Sequence, residues 1–356
     1  VCADGAAEVT ELRRVVVHKA GGYDRLKVES GPLPAPRAGE VRVANAAVGV
    51  NYADCVVRMG LYESAKKYVG WPITPGFEFA GRVDAVGEGV ADFAKGDEVF
   101  GVTRFGGYAS HAVVPHDQLL RRPDSLSREE AAAFPAVHLT AWYALCDLVR
   151  VRPGAKVLVH SAAGGVGSAL VGIAKRLGAF VVGVVGSSHK VDAVRTLGAD
   201  AVIDKSREPL WARAEALASR GYDVVLDANG VETLGKSYEH LAPTGKLVVY
   251  GFHTMLPRGG GKPNYAKLAV DFVRTPRFSP LSLVNDNRAV LGFNLSYLFE
   301  RKELLTEAMR ELLAWRADGT LRAPTVTAFP FERVADAHRA LESGNTIGKL
   351  VLTFTA

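Results

Sequence analysis

A glycine-rich turn at residues 162–167, Ala162-Ala163-Gly164-Gly165-Val166-Gly167, constrains the fold more than any other stretch of this chain. An apolar run (156–160) precedes it, and a segment with helical spacing (166–177) follows. Glycines between a strand and a helix leave the helix's first N–H groups open to an anion, with no side chain in the way. The string is the dinucleotide fingerprint with Ala162 in the first glycine's place. Gly164 lets the backbone approach a pyrophosphate, Gly165 and Val166 begin the helix, and Gly167 lets helix and strand pack closely. Such a string means little outside a βαβ unit, and here the unit is present. Residues 180–185 read as a strand, 190–197 as a helix, and 201–203, 223–226 and 246–250 as further strands. The alternation predicts an α/β, doubly wound parallel sheet.

The stretch from residue 13 to about 133 has a different rhythm. Short apolar runs at 15–18, 40–48, 81–86, 98–102 and 108–115 are separated by Gly- and Pro-rich turns, which predicts a mostly β domain. Ser127, three residues before Glu130, has the spacing of a capping box opening a helix. Beyond the Rossmann-like stretch, residues 254–277 carry Gly259, Gly260, Gly261 and several prolines. They read as a surface excursion with a helix over 265–274. Residues 289–293 return to the sheet, 300–315 form an amphipathic helix, and 349–354 form a last strand. The domain reading is 1–135, then an inserted 136–291, then 292–356.

The end of the second strand of the parallel sheet bears on the choice of dinucleotide. An NAD site sets Asp or Glu there for the ribose hydroxyls. Here the residues are Val185-Gly186-Ser187-Ser188-His189-Lys190, without an acid. Two hydroxyls and Lys190 suit a 2′-phosphate, and Lys205 after the third strand offers a second cation. The reading is NADPH. The plainer alternative makes Lys190 a solvated helix-start lysine.

Composition excludes several classes. The formal charge of +5 over 356 residues comes with no long run of like charge, so no nucleic-acid partner is expected. Cys2, Cys55 and Cys146 are odd in number and widely spaced, which argues against a disulfide framework and for a reducing, cytoplasmic setting. No apolar stretch is long enough to span a membrane. The first fourteen residues lack a signal-peptide core and read as a flexible tail.

Five segments together carry a family resemblance: 50–62 (with Asn51, Asp54, Arg58 and Tyr62), 74–81 (Thr-Pro-Gly-Phe-Glu-Phe-Ala-Gly), 96–99 (Gly-Asp-Glu-Val), 139–141 (Leu-Thr-Ala) and 162–167. With them the chain resembles the medium-chain dehydrogenase/reductase superfamily in its quinone oxidoreductase branch. Residues 285–298 are most similar to vesicle amine transport protein homologues. The resemblance implies a GroES-like, mostly β catalytic domain enclosing the Rossmann domain, and a homodimer. It also implies a cofactor site extending over Thr140, Asn229, Gly251, Phe293 and Lys349.

Zinc enzymes of that superfamily carry three catalytic ligands, at positions that here hold Asn51, Phe77 and Ala136, so no metal is expected. His138 lies near the third position, where a lone histidine is more often structural. Zinc-free relatives deliver hydride to quinones or activated enones. The resemblance puts Tyr62 near the nicotinamide, as a donor to the developing enolate oxygen or as a packing aromatic beside Trp71. It puts Asn51 at the substrate carbonyl or the nicotinamide ribose, and Thr140 at the carboxamide. Asp54 and Arg58 are expected to hold their loop together as an ion pair. Two functions follow: a zinc-independent quinone or enone reductase, or an NADPH-binding interaction protein with little turnover.

Overall fold

A computed structural model describes residues 11–257 and 261–354. The chain divides into a β-rich unit, made of residues up to Ala132, Ala328–Ala337 and the stretch from Val351, and an α/β unit, Ala133–Thr327 with His338–Leu350.

In the β-rich unit, β1 (Glu11–Val16) pairs antiparallel with β2 (Lys27–Pro32). The strand therefore takes up the end of the expected tail, whose residues 1–10 lie outside the described ones. The second sheet is built on β3 (Glu40–Val50), which pairs antiparallel with both β4 (Glu78–Val86) and β6 (His111–Pro115). Burial alternates along most of β3, as a half-buried strand requires, and becomes continuous at its end. β5 (Glu98–Val102) joins β4 to β7 (Leu119–Arg121). Helices α1 (Tyr52–Arg58), α2 (Glu63–Tyr68) and, at the unit's edge, α3 (Arg128–Ala133) lie here. The expected capping box opens α3: Ser127 N–H donates to Glu130 at 2.8 Å, and Glu130 N–H to Ser127 Oγ at 3.1 Å.

The α/β unit begins with α4 (Pro135–Trp142), which runs on into a π turn at Tyr143–Leu148. Strand and helix then alternate: β8 (Lys156–Val159), α5 (Gly165–Arg176), β9 (Phe180–Val185), α6 (Val191–Thr196), β10 (Ala201–Asp204), α7 (Leu210–Leu217), β11 (Tyr222–Asp227), α8 (Leu234–Glu239) and β12 (Leu241–Val249). The excursion carries the expected α9 (Tyr265–Arg274) and a second helix, α10 (Pro280–Asp286), before β13 (Ala289–Gly292); α11 (Leu295–Leu298) and α12 (Lys302–Ala317) follow. Arg258, Gly259 and Gly260 lie outside the described residues. The sheet is parallel, in the order β10-β9-β8-β11-β12-β13. Chain order reverses between β8 and β11, so the fingerprint turn, which leaves β8, sits at the switch point where such sheets bind ligands. Leu158, Val182, Ile203, Val225 and Leu247, one from each of five strands, are buried in one core cluster.

Finally β14 (Val326–Pro330), α13 (Val334–Glu342) and β15 (Lys349–Thr353) complete the antiparallel sheet, in the order β14-β15-β3-β4-β5-β7 with β6 on β3. The chain stays with the α/β unit as far as Thr327, beyond residue 292. The reason is α12, which packs on α4, with Trp142 Nε1 donating to Glu311 at 2.5 Å. Among the described residues, no helix is long and apolar enough to cross a membrane.

Candidate cofactor and substrate sites

The fingerprint turn owes its shape to a few close approaches. Ser161 turns the chain with φ +54° and donates its hydroxyl to Asn229 Oδ1 at 3.0 Å. Gly164 is the N-cap of α5, and no side chain caps that end, so its first-turn N–H groups face outward as an anion site needs. A Cβ at Gly167 would lie 2.2 Å from the Ser161 carbonyl oxygen, so glycine is required for helix and strand to pack. Ala162 is buried and donates its N–H to Val184 O at 3.0 Å, tying the turn to β9. From the far end of the sequence, Gly348 N–H donates to Ala163 O at 2.8 Å. The Lys349 stem passes close to Gly165, with Cδ 3.2 Å from where a Cβ there would sit.

At the end of β9, Gly186 is exposed, and a Cβ on it would lie 3.7 Å from Lys205 Cε; Lys205 therefore runs alongside the strand end, exposed. Ser187 caps the short turn Ser188–Lys190. Ser188 donates its hydroxyl to Asp204 at 2.6 Å. That bond and the ones from Ser206 hold the Asp204 carboxyl below its usual pKa. Lys190 departs from both sequence readings. It is 8% exposed, its Nζ donates to Gly344 O, and burial lowers its pKa. With His189 Nε2 contacting Asn345 O at 3.1 Å, it pins the turn at 343–345. Spacing along the sequence gave no sign of this, because the partner carbonyl lies more than 150 residues away.

Asn229 follows β11 on a loop fixed by a buried carboxylate. Asp227, fully buried, accepts from the N–H groups of Asn229 (2.8 Å) and Gly230 (3.1 Å) and from the hydroxyls of Thr233 (2.7 Å) and Ser237 (2.8 Å). Gly251 belongs to the neighbouring loop, where a Cβ would meet Ala228 O at 3.1 Å. Thr140 donates its hydroxyl to Ala136 O at 2.7 Å, leaving the oxygen's lone pairs for an incoming N–H. Phe293 packs its ring 4.9 Å from that of Tyr143, one turn beyond Thr140.

In the β-rich unit, Asn51 and Tyr62 flank the same pair, Phe77–Glu78. Asn51 starts α1 in a capping box with Asp54, whose carboxylate is fully buried and also accepts from Gly76 N–H (2.7 Å) and the Tyr108 hydroxyl (3.0 Å). Asn51 Nδ2 donates to Glu78 Oε1 at 2.9 Å. The ring of Tyr62 makes T-shaped contacts with those of Phe77 (5.9 Å) and Phe105 (6.4 Å). Sequence reading missed Phe105, which belongs to no spaced motif, and the anchoring role of Glu78, since the 74–81 motif does not show which side chain it holds. Asp54 and Arg58 both hold loops together: beside the Asp54 contacts above, Arg58 donates to Gly21 O and lies over the Tyr23 ring.

The three positions assigned to catalytic zinc do not fit the metal. Asn51 presents an amide nitrogen already donating to a carboxylate, while Phe77 and Ala136 have no lone pair to give. His138 is 3% exposed and keeps its Nδ1 on the Phe134 carbonyl at 2.7 Å, a structural arrangement.

Residues 37–124 match the alcohol dehydrogenase GroES-like domain, and 197–352 match a family described as zinc-binding dehydrogenase. The synaptic vesicle membrane protein VAT-1 homolog of Rattus norvegicus is 36% identical over 343 residues, spanning 96% of this chain and 84% of the relative. Among solved structures, Escherichia coli quinone oxidoreductase complexed with NADPH superposes with a TM-score of 0.83 at 29% identity, over 96% of this chain and 99% of the other. CurK enoyl reductase does so with 0.83 at 28%, over 97% and 99%. The chain belongs to the medium-chain dehydrogenase/reductase superfamily, in the family of the VAT-1 homologues.

Proposed function

We propose that this protein is a zinc-independent, NADPH-dependent oxidoreductase acting on a quinone or an α,β-unsaturated carbonyl. The observation that carries the reading is the uncapped N-terminus of α5 behind a glycine-rich turn, beside a β9 end that Lys205 flanks and that has no acid from 185 to 190. The NADPH-complexed quinone oxidoreductase and the enoyl reductase among its structural neighbours support it.

When bound, NADPH supplies the hydride. The N–H groups of Gly165, Val166 and Gly167 donate to the pyrophosphate, and Gly186 opens the strand end to the ribose. Ser187 and Lys205 meet the 2′-phosphate, which is why the reading favours NADPH over NADH. The loops carrying Asn229 and Gly251 border the nicotinamide half, with Thr140 accepting from the carboxamide and Phe293 packing beside it. Lys349 adds positive charge next to the turn. Glu78 orients the Asn51 amide toward the substrate carbonyl or the nicotinamide ribose. The Tyr62 phenol donates a hydrogen bond to the substrate oxygen as negative charge develops there. Cys55 and Cys146 form no disulfide, and burial pushes the Cys146 thiol up to about 12; both suit a reducing cytoplasm.

The test is loss of reduced-nicotinamide absorbance with a panel of quinones and enones. Substrate-dependent oxidation of NADPH, faster than of NADH, is expected. NADPH binding with no turnover on either class would sink the reductase reading. It would favour instead an NADPH-binding interaction protein, a second reading supported by the exposed apolar side chains of α9 and α10, such as Phe272 (71%) and Val284 (77%).

A further inference from the structure

The α/β unit has a groove of about 770 Å³ along the flank of α5. It leaves the dinucleotide face at Gly165, in the helix's first turn, and ends at Arg176, in its last. At 1.5 Å per residue that is a run of about 16 Å. Gly165, Ser168, Ala169 and Gly172 form its floor; their spacing of three and four places them on one helix face. Leu197, Leu321 and Ile347 contribute apolar walls.

Two polar features give the groove a chemistry. First, its lining includes the cations Lys175, Arg176 and Arg322 and no carboxylate. Lys175 is held by Asp200 at 2.7 Å, and Arg176 donates to Thr320 Oγ1 at 3.0 Å and lies over Trp315. Arg322 is exposed. Second, His138 lines the groove while being 3% exposed. It belongs to α4, which meets the first turn of α5: a Cβ at Gly165 would lie 3.1 Å from Val137 Cγ1. The bond from its Nδ1 to the Phe134 carbonyl requires the proton on Nδ1, so Nε2 carries a lone pair. Burial brings the His138 pKa down to about 4, so the ring is neutral at pH 7. Among the described residues, nothing donates to Nε2; the hydrogen bond of this side chain is the one to Phe134.

We propose that this groove is a second small-molecule site, taking an amphipathic carboxylate that also carries a hydroxyl. The carboxylate sits at Arg176 and Arg322, the apolar body lies along the small-residue face of α5, and the hydroxyl donates to His138 Nε2. A planar guanidinium matches a carboxylate in two parallel hydrogen bonds, which favours that head group. A medium-chain ω-hydroxycarboxylate is the simplest molecule with all three parts.

Equilibrium dialysis of the whole protein, saturated with NADPH, against ω-hydroxydodecanoate and dodecanoate tests this. The hydroxylated acid is expected to bind about threefold to tenfold tighter, the worth of one neutral hydrogen bond. His138→Phe keeps the stacking on Phe134 and should erase that preference. Arg322→Ala should weaken both acids and reduce their sensitivity to salt. Gly172→Leu should block both, since a Cβ there meets Leu321 Cδ1 at an ordinary 3.5 Å and the rest of the side chain fills the groove. The last two variants, away from the fingerprint turn, should bind NADPH as the parent does, so the result is independent of the proposed reductase activity. Equal affinity for the two acids, or binding that survives Gly172→Leu, would overturn the proposal.

Discussion

Tyr62 packs T-shaped against two phenylalanines, so Tyr62→Phe keeps these ring contacts and removes the hydroxyl. That variant should lower kcat/KM and leave NADPH affinity nearly unchanged. Loss of one charge-stabilising donor is worth about 2.7–4 kcal/mol where it is central to the transition state. The loss should be larger for an enone than for a quinone, which accepts hydride with little help from an acid. Equal rates for parent and variant on both substrates would reduce Tyr62 to a packing residue. His138 allows a different test. Its folded pKa, about 4, lies below the ordinary 6.5, so the unfolded chain binds the proton first. Its contribution is therefore fully present above pH 6.5 and is lost as pH falls toward 4; from pH 7 to pH 5 it amounts to about 2 kcal/mol. Urea unfolding of parent and His138→Phe at both pH values measures this. The parent should lose about that much more than the variant, whereas parallel losses would contradict the assignment. His160, buried and shifted in the same direction, is common to both proteins and cancels.

At the scale of elements, what the sequence revealed depends on how many residues each element buries. The fingerprint turn, α5 and the strands of the parallel sheet were legible because continuous apolar runs and a twelve-residue amphipathic helix give a clear period. α7 and α8 were not: α7 buries only Ala214, and α8 only Leu234 and Ser237, too few positions to set a period. β13, whose run 289–293 was expected to return to the sheet, is an edge of the parallel sheet. An edge strand leaves unpaired backbone groups, and here the preceding α10 exposes Leu281 (70%) and Val284 (77%). We propose that two copies pair across this edge, continuing the sheet about a two-fold axis. Light scattering at micromolar concentration should report a dimer. Leu281→Glu with Val284→Glu should shift it toward monomer if the helices share the interface, whereas a parent protein that runs as a monomer would contradict the pairing.

At the scale of the whole molecule, the chain enters the α/β unit at Ala133, leaves it after Thr327 and crosses back for His338–Leu350. Sequence reading set the return at residue 292 because an amphipathic helix such as α12 shows that it packs, not against what. The same blindness to long-range partners affected Lys190: its charge was legible, its Gly344 carbonyl was not. That distinction can be measured on the intact protein. Reduced dinucleotide that binds only the folded α/β unit stabilises it by about 2.7 kcal/mol at a hundred times its Kd. For a unit of roughly 200 residues this raises the melting temperature by about 5–10 °C. At equal concentration NADPH should give the larger shift, and NADH the smaller. Lys205→Ala, at an exposed site, should bring the NADPH shift down toward that of NADH while leaving the cofactor-free protein as stable as before. Lys190→Met should do the reverse, lowering the melting temperature without cofactor, because the turn at 343–345 loses its buried donor, and sparing the preference for NADPH. If Lys190→Met instead abolishes the preference and leaves the free protein unchanged, then the lysine leaves Gly344 when the cofactor arrives, and the 2′-phosphate belongs to Lys190 after all.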